Sequence, residues 1–163
     1  MKETVIYPFK PIYDKNSKIL ILGTMPSPNA REVNFYYGHP QNRFWKVICD
    51  IFNENDTIIK EEKKALLLKN NIALWDVIYS CEIEKSKDSS IKNVIPNNIN
   101  SLIKNTKINT VFTTGKTAYE LYNKYCFPNT KIKAICLPST SPANCRVSYE
   151  QLKKEYFKIL NHL

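Results

Sequence analysis

Four short apolar runs set what this chain can fold into: Lys18–Leu22, Ile72–Ile78, Thr110–Thr114 and Ile132–Leu137. Gly23, Gly115 and Pro138 close three of them, and Ile72–Ile78 runs into Tyr79, Ser80 and Cys81. Short apolar runs bounded by such punctuation read as buried strands. Helical patterns stand between them. Strands alternating with helices predict a parallel sheet covered on both faces. The expected fold is α/β, a three-layer α/β/α domain around a central four-stranded, mainly parallel sheet. The 163 residues show no repeat and no linker, so residues 1–163 read as a single domain.

Residues 1–17 read as an extended lead-in carrying Pro8 and Pro11. A long loop follows Gly23. Pro40 is expected to open a helix, since proline at the first helical position loses no hydrogen bond. Phe44, Val47, Ile48, Ile51 and Phe52 then recur at helical spacing. A second helix is expected over residues 60–70. Glu82–Asn93 reads as a polar connection without periodicity. Asn97 is expected to cap a helix using Ile99, Leu102 and Ile103. Ala118, Leu121, Tyr122 and Tyr125 mark another helix. Ser148 with Gln151 three residues on is a capping box that starts the last one.

No apolar run approaches the roughly 18 residues of a membrane span. Met1–Pro11 lacks the apolar core and cleavage site of a signal peptide, so the cytoplasm is the expected compartment, with no membrane partner. The five cysteines make no CxxC, and with two histidines no metal-ligand spacing arises, so no metal is expected. The cysteines read as reduced and mostly buried thiols, with Cys145 set apart by its place in a loop motif. The net charge of +9 has two readings, solubility or a polyanion partner such as nucleic acid.

In open parallel sheets, ligands bind beyond the carboxyl ends of the strands. The segments that follow the four strand ends are Gly23–Ser27, Asp76–Cys81, Thr113–Lys116 and Pro138–Arg146. Gly23, Thr24, Met25 and Pro26 form a turn that either simply turns or presents backbone N–H groups to an acceptor. It lacks the spacing of a phosphate-binding P-loop. Tyr36, Tyr37, His39, Asn42 and Arg43 mix flat faces with directional donors and acceptors, a combination that suits a nucleobase. Asn42 is expected in the first turn of a helix, His39 can cap that helix, and Phe44 belongs to the core. Asp76 is a lone acid in an apolar strand, costly to bury unpaired. It either accepts from a base N–H or satisfies backbone donors of a neighbouring loop. Ser139, Thr140, Ser141, Pro142, Ala143 and Asn144, with Arg146 beside them, form a proline-bracketed loop. It either crosses over to the last helix or grips DNA.

These stretches resemble the uracil-DNA glycosylase superfamily. Gly23–Ser27 stands where its members carry their first motif, and Ser139–Asn144 (STSPAN) is similar to their DNA-intercalating second motif. Gly38–Trp45 (GHPQNRFW) is similar to the mismatch-specific branch. The fullest resemblance is to the hypoxanthine-DNA (deoxyinosine) glycosylase branch. It rests on the first motif, the Tyr-Tyr-x-His-Pro-x-Asn-x-Phe-Trp stretch, Leu-Trp-Asp-Val-Ile, Asp88–Ile91 and STSPAN, in this order between Ile19 and Leu160. Two positions depart from better-known members. Met25 stands where an acid or amide commonly handles water, and Ser139 where the second motif commonly opens with His.

The resemblance implies an enzyme on DNA containing a deaminated base, hypoxanthine before uracil, with no cofactor; no lysine is an evident Schiff-base nucleophile, so a monofunctional enzyme is expected, and a monomer is expected too. It implies Asn42 as the catalytic residue. Gly23, Thr24, Met25, Pro26, Tyr36, Tyr37, His39, Asp76 and Ser80 would form the base pocket. Ser139–Asn144, Arg146 and Lys116 would contact DNA. The alternative on the same frame is a damage sensor that binds and does no chemistry. A nucleotide- or small-molecule-binding α/β protein is a further alternative.

Overall fold

A computed structural model describes residues 2–7, 9–84 and 88–163. The described residues form seven strands: β1 (Lys2–Ile6), β2 (Ile19–Gly23), β3 (Ile72–Asp76), β4 (Ile78–Glu84), β5 (Lys92–Pro96), β6 (Thr110–Thr114) and β7 (Ala134–Leu137). The helices are α1 (Pro28–Val33), α2 (Phe44–Ile51), α3 (Lys60–Lys69), α4 (Ile99–Lys104), α5 (Lys116–Tyr125), α6 (Phe127–Thr130) and α7 (Tyr149–Tyr156). The main sheet runs in the order β3-β2-β6-β7 with every pairing parallel.

Side-chain alternation along β2 sorts the core into two layers. Ile19 and Ile21 face α2, α3 and α7, packing with Phe44, Val47, Ile48, Leu67, Leu152 and Tyr156. Leu20 and Leu22 face the other way, with Ile99, Leu102, Tyr122 and Cys126 from and beside α4 and α5. A sheet apolar on both faces takes helices on both, which gives the expected three layers. The open edge of β3 is covered by the lead-in, where Ile12 N–H donates to Leu74 O at 2.9 Å.

The structure corrects several expectations. A second, antiparallel sheet of order β1-β4-β5 flanks the first. The lead-in therefore begins as a strand, and both ends of Glu82–Asn93 are strand too, with a 3-10 turn at Asp88–Ser90 between them; residues 85–87 of that segment lie outside the described residues. The run Ile72–Ile78 is two strands. Val77 N–H still donates to Gly23 O at 2.9 Å and Ile78 N–H to Thr24 O at 3.1 Å, after which the chain leaves for the small sheet. Asn97 braces this corner, donating from Nδ2 to Asp76 O (2.9 Å) and Ile78 O (3.3 Å). It is Asn98 that caps α4, accepting from Ser101 N–H.

The loop after Gly23 contains α1, capped by Ser27, whose Oγ accepts from Ala30 N–H at 3.1 Å. The helix expected from Pro40 begins only at Phe44. Pro40 and Gln41 lie in a turn closed by Asn42 N–H donating to His39 O at 2.9 Å. The fourth strand starts at Ala134, because α6 and the left-handed Lys131 (φ 59°) occupy the chain before it. Ser148 caps α7 as expected, accepting from Gln151 N–H at 3.2 Å. Cys49, Cys81 and Cys126 are buried; Cys136 and Cys145 are exposed. No helix among the described residues is long and apolar enough to cross a membrane.

Candidate active site

The parallel register brings Gly23 beside Asp76 and Thr114 beside Leu137, so four strand ends meet on one edge. The strand order reverses between β2 and β6, the kind of place where open α/β sheets bind ligands. A cavity of about 390 Å³ opens there. Its walls come from the turn Gly23–Ser27, the start of α1, Tyr36, Tyr37 and Asn42, and the loop Ser139–Ala143. Asp76 and Thr114 reach it from the strands, and Tyr7 from the N-terminal segment.

Gly23 permits the closest approach in the site. A Cβ on it would lie 2.6 Å from Asp76 Oδ1 and 2.9 Å from Tyr37 Oη. Only hydrogen at that position lets the carboxyl and the phenol stand against the backbone. Tyr37 sits in the left-handed region (φ 53°), a conformation that costs about 1 kcal/mol or more and must be held by its surroundings. Its hydroxyl shares a hydrogen bond with Thr114 Oγ1 at 3.0 Å, and its ring stacks on Phe44 with centroids 4.0 Å apart. Tyr36 differs from the expected stacking surface. It is buried, donates from Oη to Lys10 O at 2.8 Å, and meets Phe9 edge-on. Trp45 Nε1–H donates to Tyr36 O at 2.8 Å, fixing both tyrosines to α2.

Asn42 lies just before α2, not within its first turn. Its Oδ1 accepts from Phe44 N–H at 2.9 Å, so the side chain satisfies one of the helix's free donors while lining the cavity. Arg43 ties this helix start to the opposite wall. Its Nη1 donates to Val147 O at 2.8 Å, its Nη2 to Asn144 O at 3.0 Å, and its N–H to Thr140 O at 3.1 Å. The loop is also closed on itself: Asn144 Nδ2 donates to Ser139 O, Ser141 N–H to Ser139 Oγ, and Ala143 N–H to Ser141 Oγ.

Three residues that line the cavity each carry a polar atom buried without a partner: Asp76 Oδ2, Thr140 Oγ1 and Arg31 Nε. Asp76 is 4% exposed and Thr140 1%. Buried polar atoms without partners are rare in folded proteins and call for an explanation. Burial raises the Asp76 carboxyl to about 7. Burial also holds the Tyr7, Tyr36 and Tyr37 phenols well above their usual range, so all three stay protonated.

Of the residues expected here, Gly23, Thr24, Met25, Pro26, Tyr36, Tyr37, Asn42, Asp76, Ser139, Thr140, Ser141 and Ala143 line the cavity. His39 does not; its Nδ1 accepts from Gln41 N–H at 3.0 Å, a turn contact at the surface. Ser80 does not either; it is buried on β4, away from the cavity lining. Lys116 and Asn144 line a shallow groove next to the cavity, which shares Ser139, Ser141 and Ala143 with it. Pro142 and Arg146 are exposed beyond it. Sequence reasoning placed Thr114 only within a strand-end segment, without a role, and missed Tyr7 and Arg31. The Ser27-Pro28 pair is a helix-start signal that could have placed Arg31 on a short helix beside the turn. Nothing local marks Tyr7, which reaches the cavity through the pairing of β1 with β4.

Fold and site define a three-layer α/β protein with a polar cavity at the strand switch point and a rigid Ser/Pro loop at its rim. The chain belongs to the uracil DNA glycosylase superfamily, whose profile matches residues 10–163. A Methanosarcina acetivorans protein named hypoxanthine DNA glycosylase is 34% identical over 158 residues, covering 94% of this chain and 97% of its own. A Methanosarcina barkeri protein of the same name is 38% identical over 85 residues, about half of each chain. A solution NMR structure from M. acetivorans, described as a candidate uracil DNA glycosylase, superposes with a TM-score of 0.81 at 31% identity. It covers 99% of this chain and 100% of that one.

Proposed function

We propose that the protein is a monofunctional DNA glycosylase that releases a deaminated base, hypoxanthine before uracil, and leaves an abasic site. The observation that carries this reading is the cavity at the strand ends, lined by residues three of which carry buried polar atoms without partners. The names of the two Methanosarcina relatives support the choice of hypoxanthine.

The nucleotide must leave the stack to enter the cavity, at a cost of a few kcal/mol that a mispaired base lowers. The loop Ser139–Asn144 holds the opened duplex, and its internal hydrogen bonds give it the stiffness to do so. As the glycosidic bond stretches, the sugar approaches an oxocarbenium ion and charge gathers on the base. Main-chain N–H groups of Thr24 and Met25 stabilise that charge. The Asn42 amide places a water against the sugar. An amide is no strong base, and an oxocarbenium-like centre needs little more than a water in the right place. Tyr37, backed by Phe44, supplies a flat face for the base. The protein acts in the cytoplasm as a monomer.

Duplex oligonucleotides carrying one deoxyinosine, deoxyuridine or deoxyxanthosine test the proposal. The deoxyinosine strand is expected to break after alkali and to stay intact without it. Absence of breakage on all three overturns the enzyme reading, and tight binding without base release would favour a damage sensor. A second expectation concerns Arg146, which is exposed and follows the loop directly. Arg146→Ala should weaken DNA binding and reduce the slope of log affinity against log salt by about one. An unchanged slope removes Arg146 from the interface.

A further inference from the structure

The carboxyl of Asp76 has no task in the mechanism above, yet it stands at the strand-end floor of the cavity. It is 4% exposed, and Oδ1 is pressed against Gly23. Oδ2 is buried without a hydrogen-bond partner although it belongs to a residue lining the cavity. The groups around it do not stabilise an anion. Gly23 on β2 and Thr114 on β6 carry no charge, and the Thr114 hydroxyl is engaged with Tyr37. The titratable groups facing it, Tyr36 and Tyr37, are phenols that stay protonated. Arg31 on α1 lines the same cavity, but it makes no ion pair with Asp76 among the described residues. Burial is the cause that sets the protonation of the carboxyl, near pH 7. A buried acid without a partner is far cheaper neutral than charged.

We propose that Asp76 is the general acid of base release, its neutral carboxyl donating the Oδ2 proton to N7 of a flipped hypoxanthine. This rests on the glycosylase reading above and adds to it how the leaving base is discharged. In the step, the C1′–N9 bond breaks and its electron pair goes to N9. The Oδ2–H bond breaks and an N7–H bond forms, so the imidazole ring that receives the pair also receives a proton. The water oxygen bonds to C1′, and its proton passes through solvent to the Asp76 carboxylate, restoring the acid. The products are neutral hypoxanthine and an abasic sugar. A pyrimidine has no N7, so an acid in this place aids a purine and gives uracil no matching help.

Single-turnover rates on deoxyinosine duplex from about pH 5.5 to about pH 8.5 test the proposal, with Asp76→Asn beside the unaltered protein. Asn keeps the size and polarity of the side chain but has no acidic proton to give. The unaltered protein should lose rate about tenfold per pH unit above the Asp76 midpoint of about 7. Asp76→Asn should be about 100-fold slower or more at the acid end and lack that fall. A second arm leaves the protein alone and replaces N7 by carbon, using 7-deaza-2′-deoxyinosine. On that substrate the two proteins should react alike, and the unaltered protein should be slowed as strongly as Asp76→Asn is on deoxyinosine.

A flat profile for the unaltered protein through neutral pH overturns the proposal. So does an Asp76→Asn variant that keeps the alkaline fall, or equal rates of the unaltered protein on the two substrates. If Asp76→Asn does not fold, the profile and the substrate arm of the unaltered protein still decide. No release of hypoxanthine by the unaltered protein would instead overturn the function itself.

Discussion

Asn42→Ala is expected to slow base release from deoxyinosine DNA by about 100- to 1,000-fold, the usual loss when one preorganised polar group is removed from a site. DNA affinity should stay within a few-fold, because the groups expected to hold DNA are Lys116 and the loop 139–146, not Asn42. The protein should still fold. Asn42 Oδ1 accepts from Phe44 N–H at the start of α2, and loss of such a capping bond costs about 1 kcal/mol. The six buried side chains of that helix keep it in place. Single-turnover kinetics, a binding titration and a urea melt on the same preparation separate the three effects. A variant that cleaves normally would take the water out of Asn42's hands.

Asp76→Asn should change the pH dependence of stability by a few kcal/mol. The carboxyl rises from 3.8 to about 7 on folding, so the folded protein binds the proton more tightly than the unfolded chain does. Its contribution is therefore fully present below the unfolded value and is lost as pH rises through about 7, at roughly 1.4 kcal/mol per pKa unit. Asn has no such titration. Measured by urea unfolding, the variant should gain on the unaltered protein steadily between about pH 4 and about pH 7, and the difference should be level above that. Other groups cancel in the comparison. Parallel stability curves for the two proteins would show that Asp76 is ionised in the folded state at ordinary cost.

The main sheet was legible because β2, β3 and β6 are buried on both faces and so are written as nearly unbroken apolar runs, while β7, with only Leu137 fully buried, is marked by its short apolar run and Pro138. Leu22, Ala73 and Phe112 have no polar counterpart to hide them. The small sheet was not. In β1 only Val5 is buried, and Lys2, Glu3, Thr4 and Ile6 face outward. Backbone pairing with β4, far along the chain, makes that segment a strand, and side-chain type carries no trace of it. Asp76 was visible as an acid in the wrong company. Asn42 was legible in its place but not in its conformation. The turn from His39 to Arg43 postpones the helix that Pro40 announces, and Asn42 ends up holding the helix from outside. Arg31 escaped notice because six residues of α1 are too few to show a period.

The three hydrogen bonds of Arg43 have a mechanical meaning. They join the residue next to Asn42 to the loop at Thr140, Asn144 and Val147. The two walls of the cavity are thus one clasp with a single rivet. A duplex pressing on the rim would therefore pull, through Arg43, on the residue beside the Asn42 amide at the other side.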